Sequence, residues 1–447
     1  MLRALLQWLK NRRQPAGAPA VPAAGRAPAP AVAAPQPRPA AAAVTEPDAI
    51  TAIGARRPLV DVGGRVAGFE FRMPESTLRR LRSRDNAVAA AAHTRALFAT
   101  MRLTTDAGRI AYTELPPGWL QRPQLAAEVT RGCMIAVPLV EAADAFGTEA
   151  CTAIRALRAA GARVGWAGPR VQPVTPDFVV VRPGLDDVAS ARQRGVPLLA
   201  SDVETLEQLE AMLQAGVRYA CCSIASRTEP KEAQPLAPQV QRVCLLLNRL
   251  VQDADTRSIV SDIKEDVALA YRLLHHINMA GVGQAHEVDS IEQAVLMLGR
   301  NELYRWLSML LVTFSAGRPA SGALQEIALA RARLFELLAI DRAEPEPGSL
   351  FTLGLASMLG LLLQVKLADA IEPLNLHEFA RRALLEASGP WYAYLAVAAE
   401  LENPKSTQLE TLAEPFGGAA RVAARAAEAW QWAAKAGSGA PATAGTS

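Results

Sequence analysis

Cysteine, histidine and aromatic residues are all scarce in this chain, and neither sign of charge prevails. The five cysteines (Cys133, Cys151, Cys221, Cys222 and Cys244) show no Cys-x-x-Cys or Cys/His ligand spacing. An odd count without a framework excludes a disulfide-stapled secreted fold and suits a reducing cytoplasm, the expected location. A formal net charge of +3 over 447 residues supplies no electrostatic reason for a nucleic-acid partner. No apolar run approaches the ~20 residues of a membrane-spanning helix. The chain also lacks the Gly-x-Ser-x-Gly elbow, the P-loop, the dinucleotide-binding glycine pattern and the His-Glu-x-x-His zinc motif. What is present is half apolar and one fifth charged, a globular balance in a chain long enough for two ordinary domains.

Composition and periodicity divide the chain. Residues 1–13, MLRALLQWLKNRR, set Leu2, Leu5, Leu6 and Leu9 at helical spacing beside Arg3, Lys10, Arg12 and Arg13. This basic amphipathic segment reads either as a weak docking helix for a partner or a membrane surface or as a frayed terminus. Alanine and proline dominate residues 14–54, which predicts a disordered, semi-stiff linker. Residues 436–447 predict a disordered tail.

Over 55–232 short β-like runs alternate with helical segments. The runs are 59–62, 66–73, 109–113, 133–137, 163–166, 178–181, 197–200 and 218–222, the first two joined by the hairpin signal Gly63-Gly64. Helices are predicted over 86–101, 149–160, 188–194 and 203–215. Strands separated by helices imply an α/β fold with a mostly parallel sheet. Eight strands are compatible with a (β/α)-barrel, and a doubly wound open sheet shares the same periodicity.

Over 235–435 the pattern is helical throughout. Val240, Val243, Cys244, Leu247 and Leu250 share one helix face, and Ile259, Ile263, Val267, Leu274 and Ile277 make another. Ser290-Ile291-Glu292-Gln293 is a capping box opening a helix that stops at Gly299. Further helices are predicted over 301–314, 324–339, 352–364, 377–387 and 391–401, so the second domain is an all-α bundle.

This half resembles the HDOD family, the HD-related output domains of bacterial signalling proteins. The likeness rests on Leu273-Leu274-His275-His276-Ile277-Asn278-Met279-Ala280, on Ser290-Ile291-Glu292-Gln293-Ala294-Val295-Leu296-Met297-Leu298-Gly299, and on Phe351-Thr352-Leu353-Gly354-Leu355-Ala356-Ser357-Met358-Leu359. Gly360 departs from the pattern, where members often carry an acidic residue. The preceding half resembles a degenerate EAL-type module. Ala55-Arg56-Arg57-Pro58-Leu59-Val60-Asp61 with Gly68-Phe69-Glu70 is similar to its opening, ARQPIFD followed by GYE. Leu198-Leu199-Ala200-Ser201-Asp202-Val203-Glu204-Thr205 is similar to its LLAxxVET block. The resemblance implies an EAL-like barrel followed by an HDOD helical bundle.

It also implies what chemistry to look for. An EAL phosphodiesterase cleaves cyclic di-GMP with two divalent cations held by carboxylates and an asparagine. Here Glu70 and Glu204 are read as vestiges of that set, and Phe71-Arg72 replaces the Ala-Leu expected after Glu70. The strands expected to bring an asparagine and a glutamate read Ile110-Ala111-Tyr112-Thr113 and Met134-Ile135-Ala136-Val137. The strand expected to end in paired aspartates runs into Ala167-Gly168-Pro169, Asp186-Asp187 lies one strand late, and Ser201 stands in place of a glutamate. Phosphohydrolase relatives of HDOD need a His-Asp dipeptide, and His93, His275, His276, His286 and His377 form none. His286 with His275 and His276 is the one metal constellation to check. No metal, no cofactor and no catalytic residue are expected.

The expected function is therefore a non-catalytic signalling scaffold or output protein in cyclic-di-GMP-linked regulation, working through contacts with other signalling proteins. Arg300, Trp306, Trp391 and Tyr392 are its candidate interaction residues, against the alternative that they pack internally. A second reading makes the barrel a non-hydrolysing cyclic-di-GMP receptor using Arg163, Arg170 and Arg182. A third leaves a residual metal-dependent phosphodiesterase. Nucleic acid is not expected, since Arg79, Arg80, Arg82 and Arg84 read as a solvated face.

Overall fold

The computed structural model describes residues 56–73, 87–120, 125–137, 146–167, 172–184, 186–226, 235–279, 288–314, 318–403 and 408–438. The segments 1–13 and 14–54, the arginines 79–84, Arg170, His286 and the chain beyond Ser438 lie outside them.

Eight strands close into a barrel in sequence order: β1 (Arg56–Asp61), β2 (Val66–Phe71), β3 (Ile110–Glu114), β4 (Cys133–Val137), β5 (Arg163–Ala167), β6 (Val179–Val181), β7 (Leu198–Thr205) and β8 (Tyr219–Ser226). The open-sheet alternative is thereby set aside. β1 runs antiparallel to both its neighbours, and the remaining neighbours pair in parallel. Side chains alternate between faces, so Leu59, Tyr112, Met134, Val180, Leu199 and Cys221 fill the interior as a cluster of their own. Their neighbours Val60, Ala111, Ile135, Val179, Ala200 and Cys222 join the larger core outside.

Between the strands lie α1 (Ala87–Asp106), α2 (Pro117–Leu120), α3 (Leu125–Glu128), α4 (Thr148–Ala159), α5 (Val188–Arg192) and α6 (Leu206–Gln214). The helix expected from Val203 begins only at Leu206. Val203 and Thr205 still pair with Cys222 and Ser226 of β8, and the Thr205 hydroxyl then caps the helix by accepting from the Gln208 amide at 3.2 Å.

The helical region comprises α7 (Pro238–Val251), α8 (Thr256–Lys264), α9 (Val267–Met279), α10 (Ile291–Thr313), α11 (Ser321–Asp341), α12 (Pro347–Leu363), α13 (Leu367–Ile371), α14 (Glu378–Glu386), α15 (Tyr392–Glu402), α16 (Leu409–Ala413) and α17 (Ala419–Ser438). The apolar face expected to run unbroken from Ile259 to Ile277 is split. Asp266 accepts from the Leu269 amide at 3.0 Å and starts a new helix, which leaves Val267 81% exposed. Ser290 caps α10 as expected, accepting from the Gln293 amide at 3.1 Å. Gly299 sits at φ 71° and kinks that helix into two, a conformation that suits glycine alone among common residues. Asn278 closes the signature loop from its far side, exchanging two 2.9 Å hydrogen bonds with the Val288 backbone. α17 continues through Ser438, three residues into the segment expected to be unstructured.

A hairpin leaves β1 without a helix of its own, so the outer face of β1–β2 needs another cover. The helical region supplies it, and Ala49–Ser447 forms one compact unit. The Gly64 carbonyl accepts from the Ala323 amide at 2.7 Å, satisfying one of the free donors at the start of α11. A Cβ on Gly64 would lie 1.6 Å from the Pro319 carbonyl oxygen. Arg318 forks onto Glu210 at 2.8 and 2.9 Å, Arg109 reaches Glu326 at 2.5 Å, and Phe69 of β2 meets Trp430 of α17 edge-on at 4.8 Å. Among the described residues no helix is long and apolar enough to cross a membrane.

Candidate functional site

Barrel enzymes place their chemistry at the C-terminal ends of the parallel strands. Among the described residues, that end brings together Arg57, Arg72 and Arg182 with Glu70, Glu114 and Asp202. Glu70, near the end of β2, is fully buried. Arg57 of β1 faces it across the antiparallel pair and donates from Nε to Oε2 at 2.5 Å. Arg72, two residues beyond Glu70, donates from Nε to Oε1 at 2.6 Å. Both carboxylate oxygens are therefore held by guanidinium groups.

The network extends outward. Asp202 sits at a bulge in β7 with φ 57°, which turns its carboxylate toward the same arginines. Its Oδ1 lies 2.9 Å from Arg72 and 3.5 Å from Arg57, and its Oδ2 accepts from Arg182 Nε at 3.2 Å. Glu114, at the end of β3, accepts from the Tyr112 hydroxyl at 2.9 Å and lies 3.6 Å from both Arg72 and Arg182. Burial opposes ionisation of Asp202, but Arg72, Arg57 and Arg182 outweigh it and lower its pKa. Burial likewise works against the Arg57 and Arg72 guanidinium groups, and Glu70 reverses it, raising both. Burial, reinforced by Glu114, pushes the Tyr112 hydroxyl well up. Among the described residues, each of these six charges lies within ion-pair distance of an opposite one.

Such a site does not fit a pair of divalent cations. A metal ligand must offer a free lone pair to the ion, and the Glu70 oxygens are engaged by cations already. Tyr112, Met134 and Ala136 occupy the interior positions from which β3 and β4 would have to present an amide and a carboxylate. Among the described residues no group of three or more His, Cys, Asp or Glu side chains converges for a metal ion.

The other expected residues are placed as follows. Glu204 is exposed rather than directed at Glu70. Ser201 is buried, and its hydroxyl finds no hydrogen-bond partner among the described residues. Asp186 and Asp187 serve the turn before α5, accepting from the Arg182 amide at 2.7 Å and the Ala189 amide at 3.0 Å. Arg163 begins β5, over the Tyr219 ring at the N-terminal end of β8, whereas Arg182 follows β6 at the opposite end. These two arginines do not converge on one ligand. Arg300 caps the end of α7 through the Leu250 and Ala254 carbonyls at 2.9 and 2.7 Å. Trp306 and Trp391 are each only 6% exposed, the first beside His276 and the second stacked on His377 at 4.6 Å. They pack internally, and of the four interaction candidates only Tyr392 and Arg300 reach solvent. His275 stacks on Tyr271 at 6.0 Å, and burial lowers the His276 pKa.

Sequence reading missed Arg57, Glu114 and Asp202 as members of this site. Arg57 had a signal, since it replaces the glutamine of the ARQPIFD block. Asp202 had none, because a bulge decides where it points.

The profile of the HDOD domain matches residues 235–388. The chain is 27% identical over 213 residues to the uncharacterized protein YuxH of Bacillus subtilis, covering 47% of this chain and 52% of YuxH. It is 26% identical over 197 residues to the cyclic di-GMP phosphodiesterase CdgJ of Vibrio cholerae, covering 43% of this chain and 45% of CdgJ. The match spans about half the length of these curated relatives. An EAL domain protein from Listeria monocytogenes superposes with a TM-score of 0.32 at 14% identity, over 39% of this chain and 87% of that one; nothing about function follows from likeness at that level. Residues 235–388 match the HDOD domain, and they follow a closed barrel of eight strands.

Proposed function

We propose that this chain is a non-catalytic signalling module, with an EAL-like barrel over 55–232 and an output bundle over 235–435 acting through protein contacts in cyclic-di-GMP-linked regulation. The observation that carries the reading is the closure of Glu70 by Arg57 and Arg72. Two guanidinium groups neutralise the carboxylate that would otherwise bind metal, so the fold keeps its shape without its hydrolytic chemistry. The contacts belong to the helical half, where Val267, Tyr271 and Met279 stand 81%, 65% and 67% exposed along α9. Exposed apolar side chains at one helical spacing favour association. CdgJ, a cyclic di-GMP phosphodiesterase by name, makes that dinucleotide the first ligand to test.

The full chain mixed with cyclic di-GMP and Mg²⁺ or Mn²⁺ should form no linear dinucleotide, with heat of binding followed in parallel. Heat without product would make the barrel a receptor as well as a scaffold. Product formation abolished by Glu70→Gln would refute the proposal.

A further inference from the structure

A second feature lies on the outside of the barrel. Where the helical region covers the bare β1–β2 hairpin, the fit is incomplete and leaves a cavity of about 610 Å³, within the usual ~300–1,000 Å³ of small-molecule sites. Its existence follows from sequence. α17 faces the barrel with Ala420, Ala423 and Ala427, side chains too short to fill the gap to Leu103 of α1 and Leu401 of α15.

The charged groups lining this apolar wall are Arg56, Arg109, Arg331, Lys435 and Glu402. Arg56 lies over the Phe69 ring at 4.0 Å and Arg109 lies over the same ring at 5.6 Å. Arg109 is answered by Glu326 and Arg331 by Glu402, but Arg56 has no carboxylate within ion-pair distance among the described residues. Arg56 Nε, Arg109 Nη1, Arg331 Nε and Glu402 Oε2 are buried without a hydrogen-bond partner among the described residues. Buried donors without acceptors are costly, and a buried cation without a counter-charge more so. Burial, with Arg109 beside it, pushes the Arg56 guanidinium down to about 9.

We infer that this cavity is a ligand site for an amphipathic carboxylate, an acyl-chain acid whose head group pairs with Arg56 and whose chain lies along the alanine face of α17 toward Trp430. A neutral hydrocarbon would leave Arg56 unanswered. A nucleotide is disfavoured because Trp430 meets Phe69 edge-on rather than opening a slot for a base. A ligand here would touch barrel strands and bundle helices together, independently of what the barrel mouth binds.

The test is calorimetric titration of the full chain with dodecanoate and with dodecan-1-ol, both below micelle-forming concentrations. Dodecanoate should bind saturably at one site, and the alcohol at least about tenfold more weakly, the weight of one charge-assisted hydrogen bond. Arg56→Gln should bring the two affinities together, and Ala427→Phe, which fills the cavity, should abolish both while circular dichroism shows the fold intact. If Arg56→Gln does not fold, the acid-to-alcohol ratio of the unaltered chain and the Ala427→Phe result decide. No saturable binding of dodecanoate, equal affinity for acid and alcohol, or an acid preference that survives Arg56→Gln would each overturn the inference.

Discussion

Glu70→Gln should lower the unfolding free energy of this protein by about 3–5 kcal/mol, the range for breaking a buried ion pair by removing one partner. The glutamate is fully buried, and Arg57, left behind, is 2% exposed with only Asp202, at 3.5 Å, to answer it among the described residues. The sign separates two accounts of the residue. A carboxylate kept open for metal is repelled by its neighbouring carboxylates, and neutralising it leaves stability unchanged or raised. A carboxylate locked between guanidinium groups is structural, and neutralising it strands buried charge. Chemical denaturation of the variant reads the difference. Adding Arg57→Gln should recover a large part of the loss, because the two side chains share one interaction and their effects cannot add. Losses that add would show that Arg57 and Glu70 are not coupled.

Gly354→Ala should cost about 3 kcal/mol, the upper end of the usual range for overpacking, although alanine is ordinarily the better helix former by ~1 kcal/mol. Gly354 lies at the crossing of α12 with α11, where an added Cβ would sit 2.5 Å from the Ala332 Cα and 2.8 Å from its nitrogen. Those are backbone atoms and cannot rotate aside, so the two helices must separate. Gly348, at the start of the same helix, has open space around it, and Gly348→Ala should be neutral or mildly stabilising. Thermal melting of the two variants side by side checks the contrast. Equal behaviour would mean that the α11–α12 crossing is looser than described.

The strands of the barrel and most helices of the bundle were legible because period-2 and period-3.6 patterns are local properties. The HDOD signature was legible for a related reason: Asn278, Ser290 and Gly299 each perform a local backbone task that restricts the residue type. What escaped reading depends on partners distant in sequence. Val203–Thr205 has no local reason to remain extended and does so because β8 lies beside it. The break at Asp266 was hidden by an apolar residue, Val267, that follows the helical spacing yet faces solvent. Nothing local marks α17 as a wall of the barrel, since its alanines suit any helix.

The site was half legible. The missing asparagine, glutamate and paired aspartates could be counted along the chain, and Phe71-Arg72 stood out after Glu70. That Arg57 returns to Glu70 could not be seen, because it is brought there by the pairing of β1 with β2, whereas Arg72 stands two residues on, at the spacing that keeps side chains on one face of a strand. Arginine is physically suited to a buried carboxylate. A guanidinium group holds a fixed positive charge and donates in a planar fork to a carboxylate, so it answers the buried charge without offering a Lewis-acid centre.

The closure of Glu70 is tested most directly by titrating the full chain and its Glu70→Gln variant with Mn²⁺, following free metal by electron paramagnetic resonance. With both oxygens of Glu70 held by Arg57 and Arg72, no saturable high-affinity site should appear and the two curves should coincide. A saturable site present in the unaltered chain and lost in the variant would contradict the closure and return Glu70 to metal chemistry.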